Sequence, residues 1–452
     1  MKELKRKYNL VTTISLVVGI VMGSGIFLKN IPILRETGGS VLLSTLIFII
    51  VGLIMIISSY TFSLASRRIE KVNGIIDYIE DSNGNKASYY VGFYYNFVYL
   101  PIITSVLAFL SASFFNQLIG LNSNLFLIVF GIFLLTLSFI INIFLPRFAG
   151  KIQVSTTIIK LIPILIIGTI GLILGIKSNN EVIIIPSKDS NINFFSAILK
   201  ASFAYEGWII ATTVNAEVLD SKKNLPKALI IGSIIVVISY IIYNIGIVYL
   251  VGSNTILNSL NDQKIIELAF INLFHNKIGG KIFLLFIFIS CVGVLNGLSM
   301  ATSRGMYSLA VRNYIYKSKK FNKLNNKTNT SISSGILGFI LSLLFYFYFV
   351  IAIIYNKVSS NIDEICIALL YVSYIFIYIN IMKKYKDLNK IKRYFIPILA
   401  IISSLFLIYS SFNVLFTTLL NNNLSINQRI PYILIIIFIN FLIARLLYNK
   451  NN

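Results

Sequence analysis

The sequence is poor in the residues on which most enzyme chemistry depends. Its 452 residues include one histidine, two cysteines and one tryptophan, and only 16 acidic residues stand against 39 Lys and Arg. Zinc coordination and histidine-based acid/base catalysis have little to draw on when His275 is the single histidine. Cys291 and Cys366 both fall inside apolar segments, which argues against a disulfide framework and against a Cys/His metal site. We predict no catalytic residues, no metal and no cofactor.

Charge is scarce as well. Charged residues make up 12% of the chain and hydrophobic residues 57%, whereas soluble domains carry about 25% charged residues. Apolar runs of about 20 residues, long enough to cross a membrane, recur from end to end. The runs are continuous, unlike the alternating strands of a barrel, and the first follows "MKELKRKYNL" without a small-residue cleavage site. The sequence predicts an all-α polytopic membrane protein whose first run is a retained span.

About twelve spans are predicted, and the loops between them alternate in charge. The predicted spans lie at 11–33, 40–63, 89–119, 124–145, 151–176, 194–219, 226–252, 279–311, 332–356, 362–382, 394–416 and 430–448. Loops such as "SRRIEK", "DSKKNLPK" and "MKKYKDLNKIKR" alternate with loops poor in Lys and Arg such as "GLNSN". By the positive-inside rule, both termini are predicted to be cytoplasmic in a multi-pass protein of the plasma membrane. The net charge of +23 is therefore attributed to topology and to attraction for membrane lipid, not to nucleic acid.

Two of these spans carry residues that interrupt a helix. The first contains "GIVMGSGIFLKN", and its Gly23 to Gly25 turn falls near mid-membrane. Unpaired backbone survives there only against protein or a water-filled cavity, and the freed N–H groups form a site for a carboxylate. The alternative is that the small residues are helix packing contacts. The sixth span, "ILKASFAYEGWIIATTVNAEV", has Glu206 at its centre. A carboxylate there costs on the order of 3 kcal/mol, which favours a functional role over purely structural pairing.

Lys160, in "STTIIKLIPIL", is a further polar residue inside a span. It lies roughly 13 Å from the predicted cytoplasmic end, too far for its stem to snorkel readily. We therefore expect its ammonium to point into the bundle and to meet carbonyls or hydroxyls. Lys200, nearer the outer end of the sixth span, is expected to snorkel.

These motifs resemble the amino acid–polyamine–organocation superfamily, in particular its L-type amino acid transporter-like permeases, which include bacterial serine/threonine exchangers. The resemblance rests on "GSGIF", "KLIP", "FAYEGW" followed by "NAEV" and "KNLPKAL", and "LNGLSMATSRGMYSLAVRN". It implies a LeuT-like fold, an inverted repeat of five plus five helices with broken first and sixth helices. The repeats are placed at 1–176 and 194–382, with two additional helices at 394–448. One departure is "RIEKVNGIIDYIED", predicted to be the loop after the second span, which lacks the family's proline.

The family's roles carry over to matching positions, which are Val21, Met22, Gly23, Ser24, Gly25, Phe203, Tyr205 and Glu206 for substrate and Lys160 for an ion. The resemblance implies that the glycine-serine-glycine turn holds the carboxylate of an amino acid and that carbonyls of both broken segments hold its ammonium. Phe203 matches an aromatic gate, and Tyr205 is expected to shape the side-chain pocket together with the third, eighth and tenth spans. Lys160 matches a lysine that replaces a sodium ion between the first and eighth spans.

The function implied is sodium-independent secondary transport of amino acids by alternating access. Exchange and proton coupling both stay open, as do the oligomeric state and the role of Glu206, where relatives carry aspartate, glycine or serine. A polyamine or cationic amino acid carrier, with Glu206 as counter-charge, is the nearest alternative. A sensor of the same fold that does not transport is a further one.

Overall fold

The structure is a computed structural model whose described part is all-helical. It describes residues 4–121, 123–177, 181–186, 192–258, 278–355, 362–420 and 432–448, with the single positions 265, 268, 269, 271 and 276. Within these ranges the chain forms no strand, only two isolated bridges, Tyr8 with Val218 and Ile315 with Tyr448. The predicted class, an all-α polytopic membrane protein, is confirmed.

The α-helices are numbered here in chain order. They are α1 Leu10–Val21, α2 Ser24–Glu36, α3 Val41–Ser66, α4 Gly74–Tyr94, α5 Leu100–Leu118, α6 Asn124–Phe144, α7 Pro146–Lys177, α8 Phe194–Ala204, α9 Ser221–Val251, α10 Ser253–Asn258, α11 Ile278–Ala310, α12 Ser318–Phe321, α13 Ile332–Phe349, α14 Ile362–Lys384, α15 Ile396–Leu420 and α16 Tyr432–Leu447. Short π-helical segments join or extend several of them, at Tyr95–Tyr99, Val350–Ile354 and Ile391–Phe395, and a 3₁₀-helix spans Trp208–Glu217.

The described residues contain nine helices long and apolar enough to cross a membrane, and α1 with α2 forms a tenth span bent by 40°. The predicted sixth span divides into the 11-residue α8 and the 10-residue 3₁₀-helix Trp208–Glu217, each too short to cross alone. The last helix, α16, has 16 residues. The number of twelve spans stays a prediction.

The stretch predicted to be a loop after the second span is instead the beginning of a helix. α4 begins at Gly74, bends at Gly84, where φ is +79°, and continues through the π-helical turn into α5. The first turns are buried because Ile75 and Ile76 are fully covered and Asp77 forms an ion pair with Arg312. The helix bends at Gly84 and residues 83–86 are exposed, so the start of the third span at 89 stays a prediction.

The broken helices lie at the centre of the bundle. α1 packs on α7, α9 and α11, while α2 packs on α8. Asn244 of α9 accepts a bond from Asn30 of α2 at 2.8 Å and donates to Ser44 of α3 at 3.0 Å. Polar side chains inside the bundle thus hold α2, the second half of the first broken helix, which a lipid-facing helix would not need.

Candidate functional site

The first break lies between Val21, where α1 ends, and Ser24, where α2 begins. A Cβ atom added to Gly25 would lie 2.9 Å from the Cα of Ala204, the last residue of α8. The two broken helices therefore meet backbone against backbone, an approach that only glycine allows. A Cβ on Gly23 would instead meet the side chain of Val294 at 2.5 Å.

The second break follows Ala204. Gly207 has a φ of +110°, in the region that L-residues avoid, and it turns the chain into the 3₁₀-helix that begins at Trp208. A Cβ at Gly207 would lie 2.8 Å from Cγ2 of Ile20 in α1. The sequence pattern pointed to Glu206 as the centre of this span, and the backbone turns at the residue beside it.

The two breaks bring helix ends of opposite polarity together. α2 begins at the break, and no side chain among the described residues caps its first N–H groups, so its positive end is open to an anion. α8 ends at the same point, and the carbonyls of its last turn carry partial negative charge. Gly25 and Ala204 mark where these two ends touch. The arrangement offers one place for a carboxylate and, beside it, one for an ammonium.

Tyr240 of α9 connects the two breaks. Its hydroxyl lies 2.9 Å from the carbonyl oxygen of Val21 and 3.0 Å from that of Ala204, the last residues of α1 and α8. The hydroxyl has one proton to donate, so it serves the two carbonyls in turn. Sequence reasoning missed this residue, since a tyrosine in an apolar span carries no signal of what its hydroxyl contacts.

For the transport activity that the resemblance implies, we expect Tyr240→Phe to raise the substrate concentration for half-maximal uptake by about tenfold, because the broken ends lose a bond worth about 1–1.5 kcal/mol. Tyr243→Phe is the matched control. Tyr243 lies on the same helix, and its buried hydroxyl has no hydrogen-bond partner among the described residues. Concentration dependence of uptake into proteoliposomes measures both variants, and equal effects of the two would show that Tyr240 acts by packing alone.

A small cavity of about 30 Å³ lies between the two breaks. Its lining includes five of the predicted substrate residues, Val21, Gly23, Gly25, Phe203 and Glu206. The remaining wall is mostly apolar and comes from α1, α5, the π-helical turn before α5, the second broken helix, α11 and α14: Ile20, Tyr99, Ile103, Leu107, Gly207, Ile210, Val294, Leu298 and Ile367. Because this volume holds only a few water molecules, a ligand as large as an amino acid would enter only when the walls move apart.

Glu206 is the acidic residue of this cavity wall. It is buried, and the Tyr99 hydroxyl donates a hydrogen bond to its Oε1 atom. Oε2 has no hydrogen-bond partner among the described residues. An unpaired buried carboxylate oxygen is costly in a low-dielectric site, so Glu206 is available to a cationic or hydrogen-bonding group that enters the cavity.

Lys160 of α7 lies outside the cavity, between α1 and α11. Its side chain is fully buried, and its ammonium donates a hydrogen bond to the carbonyl oxygen of Gly19 in α1. The position of a Cβ on Gly293 in α11 is 3.4 Å from Nζ. The Lys160 ammonium therefore contacts the last turn of α1, just before the break.

Two predicted substrate residues, Met22 and Tyr205, do not belong to the described cavity wall. Met22 is buried, and its carbonyl accepts a bond from Ser290 at 3.3 Å. Tyr205 faces away, where its hydroxyl donates to the carbonyl of Phe48 at 3.0 Å. The side chain of Ser24, like the whole of His275, lies outside the described part of the chain. Among described residues, no three His, Cys, Asp or Glu side chains come close enough to share a metal ion.

The start of α1 is tied to the end of the second broken helix. The backbone N–H groups of Lys7 and Tyr8 donate to the carbonyl of Glu217 at 2.7 and 3.0 Å. The buried Glu217 carboxylate also pairs with Lys7, at 2.5 Å, and with Arg304 of α11. The two cations offset the cost of burying the Glu217 carboxylate, and the cluster joins the start of α1, the end of the second broken helix and α11.

A multi-span helical bundle with two broken helices around a central cavity is the architecture of a secondary transporter. The sequence profile of the amino acid permease family matches residues 8–441, and the chain belongs to that family. It is 28% identical over 417 residues to the serine/threonine exchanger SteT of Bacillus subtilis (strain 168), covering 90% of this chain and 91% of the relative.

The chain is also similar, over a smaller part of its length, to two human transporters. The chain is 28% identical over 319 residues to the human cystine/glutamate transporter, covering 68% of this chain and 61% of that protein. It is 29% identical over 258 residues to the human large neutral amino acids transporter small subunit 2, covering 54% and 47%. The family and these relatives are transporters, so the prediction that the chain is not an enzyme is confirmed.

Proposed function

We propose that this protein carries zwitterionic amino acids across the plasma membrane by sodium-independent exchange. The observation that supports this most is the meeting of the α2 start with the α8 end at one cavity, where Gly25 approaches Ala204. The positive helix end suits a carboxylate, and the negative end beside it suits an ammonium. An α-amino acid carries both groups on one carbon, which matches two adjacent sites of opposite polarity.

The proposed cycle moves the broken helices with α3 and α9 against a scaffold that includes α5, α6, α11 and α13. The cluster of Lys7, Glu217 and Arg304 would open when the site faces the cytoplasm, with both termini on that side. Lys160 would hold α1 against the scaffold without a sodium ion. The named substrates of the relatives, which include serine, threonine, cystine, glutamate and large neutral amino acids, leave the side-chain preference to experiment.

The second candidate is a carrier of cationic amino acids or polyamines. The observation that favours it is the carboxylate of Glu206, which lines the cavity with one oxygen unpaired among the described residues. A polyamine has no carboxylate for the start of α2. A cationic amino acid would use both features, the helix ends for its α-groups and Glu206 for its side chain.

Uptake into proteoliposomes of the purified protein separates these candidates. Labelled amino acids and polyamines are offered with and without unlabelled amino acid inside, under a sodium gradient or a pH gradient, and protein-free liposomes are the control. We expect uptake of amino acids that needs internal amino acid and is unchanged when choline replaces sodium. Uptake into empty vesicles driven by external acid would indicate proton symport, and uptake of polyamines alone would contradict the proposal.

A further inference from the structure

A second cavity, which shares no lining residue with the central cavity, opens where α6 ends and α7 begins. Its volume is about 710 Å³, within the usual range of small-ligand pockets. The six basic residues of its lining come from three separate parts of the chain: Lys5, Arg6, Lys7, Arg147, Lys151 and Lys327. None of the described residues that line it is acidic. We call this cavity the basic groove.

Four of the six cations in the basic groove form no ion pair with another described residue. Arg6 pairs with Glu70 and Lys7 with Glu217. Within the described ranges, no carboxylate pairs with the side chains of the others, which are Lys5, Arg147, Lys151 and Lys327 and are all exposed. Like charges that converge without a counter-charge repel one another unless an anion joins them.

The neighbouring cations affect the pKa of the Lys7 ammonium. Burial lowers its pKa, Glu217 opposes that shift, and the charges of Arg304 and Arg147 add to the lowering. An anion bound beside Arg147 would screen that repulsion. The charge of the basic groove therefore acts on Lys7, the residue that joins the start of α1 to the second broken helix.

The groove also has an apolar side. Phe144, Leu145 and Phe148 belong to its lining, and they are 48%, 54% and 52% exposed. They stand at the junction of α6 and α7, the ends of two helices long and apolar enough to cross a membrane. A small soluble anion has no apolar part to pack against these side chains, whereas the acyl chains of a lipid would cover them.

We propose that the basic groove binds the phosphate headgroup of an anionic phospholipid, with the acyl chains against Phe144, Leu145 and Phe148. Basic pockets between helices on the cytoplasmic side are suited to such headgroups. Arg147 presents a planar fork that can hold two phosphate oxygens, and Lys151 and Lys327 contribute point charges. The site is distinct from the transport cavity, and its occupancy is measured without transport.

Native mass spectrometry of the full-length protein in detergent tests the proposal. Dioleoyl phosphatidylglycerol and dioleoyl phosphatidylcholine, which share their acyl chains, are titrated separately. We expect phosphatidylglycerol to bind at least about tenfold more tightly, since each nearby cation contributes about a factor of five. The variant R147Q/K151Q/K327Q should lose this preference, and R147K/K151R/K327R should keep it.

The matched control is K222Q/K223Q/K227Q, which removes three exposed lysines at the start of α9, outside the groove. Loss of the preference in the control as well would mean that the whole basic face attracts lipid, and the site would be refuted. Displacement of the lipid by millimolar inorganic phosphate would assign the groove to a soluble anion instead. Melting temperatures check folding, and if the triple variant fails to fold, K151Q/K327Q replaces it, with a retained preference counting against the site.

Discussion

Gly25→Ala is expected to reduce amino acid uptake by about tenfold to a hundredfold. The new methyl group would lie 2.9 Å from the Cα of Ala204 and 3.3 Å from its carbonyl oxygen, so it meets backbone, which cannot turn away as a side chain can. Forcing such groups apart costs about 1–3 kcal/mol, and here it separates the two helix ends that form the proposed site. Initial rates of uptake into proteoliposomes, normalised to reconstituted protein, measure the effect.

Gly23→Ala provides the matched comparison two residues away. Its methyl group would lie 2.5 Å from Cγ2 of Val294, a side-chain atom that a second substitution removes. We expect Gly23→Ala to impair uptake and the double variant Gly23→Ala/Val294→Ala to recover most of it, while no side-chain truncation rescues Gly25→Ala. Normal uptake by Gly25→Ala would show that the contact between the breaks is not needed for transport.

Lys160→Met is expected to reduce uptake by about tenfold to a hundredfold without lowering the melting temperature. The ammonium donates to the carbonyl of Gly19, and hydrogen bonds of a charged group contribute about 1.5–3 kcal/mol. Lys160 is fully buried, and no carboxylate pairs with it in the described part of the chain. Because methionine fills similar space and avoids the cost of burying a charge, the fold itself should tolerate the change.

Two measurements on the same proteoliposomes distinguish this role from a structural one. Uptake in sodium and in choline shows whether the wild-type protein ignores sodium, as expected if Lys160 takes the place of the ion. Lys200→Met is the control, because Lys200 pairs with Glu36 at the partly exposed outer ends of α8 and α2 and such pairs contribute little. Full uptake by Lys160→Met with no new ion dependence would refute the assigned role.

Hydropathy, charge and backbone chemistry made the fold class predictable. In hydrocarbon only helices and closed barrels pair the whole backbone, and long continuous apolar runs indicate helices because barrel strands alternate. Glycines or a carboxylate at mid-membrane mark where a helix faces inward. Gly23, Gly25 and Glu206 were found on these grounds, and all three line the central cavity. Residues 74–81 were predicted to belong to a loop, yet they are helical, since Ile75 and Ile76 are buried and Asp77 pairs with Arg312. Hydropathy does not reveal these contacts between distant segments.

Which residues meet across the bundle was decided by the tertiary structure. Hydropathy does not separate an isoleucine that faces lipid from one that faces a cavity, so Ile103 and Ile367 could not be selected in advance. Tyr240 and Tyr243 are equally buried tyrosines in one helix, yet only the first has its hydroxyl at the carbonyls of both breaks. Composition and order along the chain therefore determine that helices form and where they break, whereas contacts between distant segments depend on how the helices pack.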